Sequence, residues 1–125
     1  MSLISLSAFA APAPKNGPDK IFINVFRGDL KTQFQIEPTA NKVTMVNSFG
    51  IKRTRDIGKE NMTYLLGETG KLPTTKKLPG ECMRSKMEVI TVDGKKASLK
   101  QSCFVGGSIT AKQYEDLANL LAVTI

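Results

Sequence analysis

One dipeptide, Asp93-Gly94, constrains what this chain can fold into more than any other feature. The segment before it, residues 83–92, sets Met87, Val89 and Thr91 against Glu88, Ile90 and Val92. The segment after it, 95–105, puts Ala97, Leu99, Gln101, Cys103 and Val105 on one side. Period-two alternation on both sides of a dipeptide that tolerates positive φ specifies an antiparallel hairpin. With Asp93 and Gly94 as the loop residues of a type I′ turn, Val92 pairs with Lys95. Cys103 then falls opposite Arg84, two residues from Cys82. A bulge or a slightly longer turn brings the two sulfurs into bridging range. The expected Cys82–Cys103 disulfide closes a loop of about 20 residues and contributes about 3 kcal/mol through chain entropy.

The N-terminal half carries the same signature. Residues 20–27 are rich in β-branched and aromatic side chains, with Ile21, Ile23 and Val25 on one face and Phe22, Asn24 and Phe26 on the other. That composition predicts a central strand. Gly28-Asp29 marks a turn, 31–37 reads as a strand with one wet face, 38–41 turns again, and 42–47 completes a meander. Residues 50–55 lead toward a helix over 56–66, with Asp56 as its N-cap and Gly67 placed to end it. Ile57, Met62, Leu65 and Leu66 form its apolar stripe. Residues 69–80 hold Gly70, Pro73 and Pro79 and read as a loop. Thr110-Ala-Lys-Gln113 is a capping box, followed by Tyr114, Leu117, Ala118 and Leu121 at helical spacing.

The expected architecture is therefore α+β: a five-stranded antiparallel sheet in the order β-β-β-α-β-β-α, with both helices on one face and the other face polar. A weak internal ββα duplication is also visible. Ile57, Met62 and Leu65 repeat as Ile109, Tyr114 and Leu117 at the same spacing.

The first 19 residues belong to a different category. Leu3 to Phe9 is a short apolar run, and Ala8-Phe9-Ala10 supplies small residues at −3 and −1 of a signal-peptidase site. We read 1–19 as a signal-peptide remnant and flexible lead-in, and 20–125 as a single domain. The run is too short to span a bilayer, and no other stretch reaches about 20 apolar residues. A periplasmic or secreted bacterial location follows as the expectation. An even cysteine count agrees with it.

Histidine is absent. That removes the Ser-His-Asp triad, the Cys-His dyad and imidazole metal ligands from consideration. No Gly-x-Ser-x-Gly, Asp-x-Asp or phosphate-binding glycine loop occurs, so no catalytic residue, metal or cofactor is assigned. What remains is charge. The net charge is +7, and residues 52–100 hold twelve basic side chains against six acidic ones. Such a field favours anionic partners.

Two segments stand out as binding candidates. Lys52, Arg53 and Arg55 lie beside Phe49, an aromatic interleaved with cations. The loop containing Leu72, Lys76, Lys77 and Leu78 is stiffened by proline and offers two leucines as apolar anchors. The expected function is a non-enzymatic exported binding module for a protein or an anionic cell-envelope component. The alternatives are a small inhibitor or accessory protein of a secreted enzyme and, less favoured, a histidine-independent hydrolase. Nucleic acid fits the charge but conflicts with export.

Overall fold

The computed structural model describes residues 18–73, 85–103 and 109–124. Its strands are β1 (Lys20–Arg27), β2 (Leu30–Glu37), β3 (Lys42–Asn47), β4 (Lys52–Asp56), β5 (Ser85–Asp93) and β6 (Lys96–Cys103). Its helices are α1 (Gly58–Gly70) and α2 (Ile109–Thr124). The strands form one antiparallel sheet in the order β4-β3-β2-β1-β5-β6. The fold is α+β as expected, but the sheet has six strands rather than five.

β1 is central because it can be buried on one face along its whole length. Ile21, Ile23 and Val25 meet Phe34 and Ile36 from β2, Val43 from β3, and Met87 and Val89 from β5. Met62 and Leu65 of α1 and Tyr114, Leu117, Ala118 and Leu121 of α2 close the same cluster from above. Both helices therefore cover one face of the sheet, as their apolar stripes require.

The extra strand is β4, in a stretch expected only to lead into the helix. It pairs with β3 from Val46↔Lys52 to Lys42↔Asp56, and every residue in it is exposed. An edge strand with solvent on both sides has no hydrophobic alternation to read. A run of cations there also discourages further strand pairing. The Thr44 and Thr54 hydroxyls, 3.0 Å apart, add a cross-strand hydrogen bond.

Helix α1 starts later and ends later than predicted. Asp56 closes β4, yet its carboxylate still accepts the Gly58 N–H at 2.9 Å. Gly67 sits inside the helix, which runs on to Gly70. Thr69 is buried, its hydroxyl donating to the Leu65 carbonyl at 2.8 Å, and Leu72 lies in the core. Burying those two side chains outweighs the cost of about 1 kcal/mol for an internal glycine. Helix α2 includes Thr110 in its first turn rather than at its cap.

The β5–β6 hairpin is shifted by two residues from the expected register. Asp93 pairs with Lys96, so Gly94 and Lys95 are the loop residues. Gly94 has φ +63° and no other residue of that turn has positive φ, the pattern of a glycine-first hairpin turn rather than type I′. Gly28-Asp29 closes β1–β2 in the same way, with Gly28 also at φ +63° and Arg27 paired to Leu30. An even shift leaves the faces unchanged, but it places Cys103 opposite Lys86 instead of Arg84. The repeat suspected from sequence has a counterpart in topology, since each helix follows the outermost strand on its side of the sheet. It fails in packing: Ile57 is buried while Ile109 is 82% exposed.

Tyr114 ties α2 to the end of the segment after α1. Its ring is fully buried and its hydroxyl donates to the Pro73 carbonyl at 2.6 Å. Burial pushes that hydroxyl up to about 12. The unfolded chain loses this proton near pH 10, so the folded state holds it more tightly. The linked stability is intact below pH 10 and is lost as pH climbs through about 12. Tyr114→Phe should cost about 1 kcal/mol in urea denaturation near neutral pH. The variant's stability should also fall less steeply than wild type between pH 10 and 12.

Candidate functional site

Among the described residues, the β3–β4 hairpin combines exposed apolar side chains with cations. Between Glu37 and Asp56 the chain has no acidic residue and four cations, Lys42, Lys52, Arg53 and Arg55. At its tip, Phe49 is 78% exposed and Ile51 is 47% exposed. A single exposed apolar side chain is ordinary, but Phe49 and Ile51 stand together on one turn flanked by cations, and that combination makes the tip a candidate contact.

The tip is held rigidly. The Asn47 side-chain oxygen accepts the N–H groups of Phe49 and Ile51 at 2.9 and 3.2 Å. The Asn47 N–H donates to the Ile51 carbonyl, and the Gly50 N–H donates to the Asn47 carbonyl. Ser48 is strapped to β2, its N–H donating to the Lys31 carbonyl and its hydroxyl accepting the Lys31 N–H. An asparagine that satisfies neighbouring backbone donors in this way preorganises a turn.

Strand geometry splits the neighbouring cations. Lys52 pairs with Val46 on the face away from the helices, whereas Arg53 pairs with Met45 on the helix side. Neither makes an ion pair among the described residues. Arg55 has a structural task, its guanidinium donating to the Thr124 carbonyl at the C-terminal end of α2, 3.1 Å away. Sequence proximity grouped these residues into one patch. The pleat distributes them around the tip.

On the face away from the helices, a hollow of about 240 Å³ lies at the base of this hairpin. Lys31, Gln33, Gln35, Val46, Asn47 and Ser48 line it. Its floor belongs to a directed chain of amides. Gln35 donates to Gln33 at 3.0 Å, Gln33 donates to Asn24 at 2.8 Å, and Asn24 donates to Glu88 at 3.4 Å. Lys86 sits 3.5 Å from the other Glu88 oxygen. Lys31 and Lys86 also flank the Phe26 ring, their ammonium groups 5.5 and 5.2 Å from its centroid. The uncovered face is thus wet and hydrogen-bonded to itself, with cations along its β2 and β5 rows.

The second candidate segment is only partly described. Leu72 is buried in the core and is not presented to solvent. Lys76, Lys77, Leu78 and Cys82 lie outside the described residues. Two further hollows of about 300 Å³ run between α1 and α2, sharing Tyr64 and Leu120. Nothing in the residue pattern points to them, since Tyr64 falls off the apolar stripe and reads as an ordinary exposed helix position. Among the described residues, no three of His, Cys, Asp and Glu converge as a metal site. No helix there is long and apolar enough to cross a membrane.

No protein-family model matches this chain, and no curated protein matches it significantly.

The Asn47 brace can be checked directly. Asn47→Ala should lower stability by about 1 kcal/mol. Amide exchange at Phe49 and Ile51 should rise sharply while β1 stays protected.

Proposed function

We propose that this protein is a non-enzymatic binding module of the bacterial periplasm or exterior, and that it engages an anionic cell-envelope component through the β3–β4 hairpin. The observation that carries this reading is the segregation of charge and apolar surface. An eighteen-residue stretch without a carboxylate contains a braced tip bearing Phe49 and Ile51, and beside it Lys52 and Arg53 make no ion pair among the described residues. Lysines and arginines that only confer solubility are ordinarily interspersed with acids. Here they are not.

What supports export is the leader-like opening and an even count of two cysteines, Cys82 and Cys103, which this reading joins in a bridge. No free cysteine occurs among the described residues. Cys103 lies opposite Lys86, and Cys82 lies outside the described residues.

Two measurements test the proposal. The wild-type domain should bind heparin, used as a polyanion probe, with an affinity that falls steeply with salt. Lys52→Ala with Arg53→Ala should elute at clearly lower salt, while Arg55→Ala should mainly reduce thermal stability. Unchanged elution of the double variant would contradict the hairpin as the contact. The intact mass of protein recovered from the periplasm should be 2 Da below that of the fully reduced chain, and two free thiols would contradict the bridge.

A further inference from the structure

We infer that the partner of the β3–β4 tip is an anionic phospholipid bilayer, with Phe49 and Ile51 entering the interface and the adjoining hollow taking a headgroup. The inference rests on the anionic-component reading above and narrows it to one chemistry. Four observations carry it.

The tip pairs apolar with cationic groups. Phe49 and Ile51 are exposed, and a soluble polyanion offers neither of them an apolar environment, whereas the acyl boundary of a bilayer does. The backbone N–H donors of the tip are also already satisfied. The N–H groups of Asn47, Ser48, Phe49, Gly50 and Ile51 all donate to partners within the protein. Entering a region poor in water therefore leaves no backbone N–H of the tip unpaired.

The cations surround the tip instead of sharing one face. Lys31 and Lys52 lie on the side away from the helices and Arg53 lies on the other. That arrangement suits a tip-first approach to a flat negative surface, where each cation near the surface contributes favourably. Finally, the hollow beside the tip combines the Lys31 side chain with the amides of Gln33 and Gln35, and Lys52 projects from the next strand on the same face. Ammonium groups with amide donors and acceptors are the complement of a phosphate esterified to a hydroxylated group, as in phosphatidylglycerol.

The chain contains no tryptophan, so Phe49→Trp creates a single fluorescent reporter at the tip. The experiment uses the full chain with vesicles of phosphatidylglycerol, vesicles of phosphatidylcholine, and heparin. On phosphatidylglycerol vesicles, the Phe49→Trp indole emission should shift to the blue and be quenched by brominated acyl chains. Phosphatidylcholine should give no shift. Phe49→Ala with Ile51→Ala, both at exposed positions, should weaken vesicle partitioning about ten-fold or more while heparin elution stays unchanged.

Heparin retention without vesicle binding, or vesicle binding with the indole still in water, would overturn the lipid assignment and leave the broader anionic reading standing. An indole shift in periplasmic extract but not on vesicles would assign the tip to a protein and likewise overturn it. Loss of both heparin and vesicle binding would mean that the underlying reading had failed, and the lipid assignment with it.

Discussion

Everything in this molecule depends on the one-sided burial of β1. It is hydrogen-bonded to β2 and β5 along its length, and Ile21, Ile23 and Val25 form the floor on which both helices rest. Two short helices can cover only one face of a six-stranded sheet. The opposite face is therefore left to stabilise itself, and it does so with polar side chains that bond to one another. Asn24 shows how far this goes. It lies on the uncovered face of the central strand yet is only 6% exposed, held between Gln33 and Glu88. A buried amide of this kind is tolerable because both of its ends are bonded.

The sequence was most legible where burial is strongest. Alternation in 20–27, 31–37, 42–47 and 85–92 marks strands that each present one face to the core, and Tyr114, Leu117, Ala118 and Leu121 mark the helix above them. It was least legible where the physics is not local. β4 is a strand because β3 needs a partner, and nothing in Lys52-Arg-Thr-Arg-Asp56 carries that information. The end of α1 was misplaced because Gly67 looked like a stop, while Thr69 and Leu72 were being drawn into the core from beyond it. The hairpin register slipped because Asp93-Gly94 satisfies one turn type and Gly94-Lys95 another. Pairing with β1 and the Asp19 carboxylate, which accepts the Gly94 N–H at 2.6 Å, accompany the register that formed.

The candidate site shows the same division. Phe49, Lys52 and Arg53 were recognisable as residue types, but the reason they matter is structural. Asn47 braces the turn that displays Phe49, and the pleat sends Lys52 and Arg53 to opposite faces. Arg55, indistinguishable from Arg53 in the sequence, is spent on the end of α2. The hollow lined by Lys31 and Gln33 joins residues from β2 to β3 and could not be seen before the strands were paired.

The central claim is that a single edge of the sheet, the β3–β4 tip with its flanking cations, meets a negatively charged surface. Nitrogen-15 chemical-shift mapping with phosphatidylglycerol bicelles tests it residue by residue. The account predicts perturbations concentrated at 47–53 and at Lys31, diminishing as salt is raised, with β5 and β6 silent. Perturbations centred on the groove between the helices, at Tyr64 and Leu120, would contradict it.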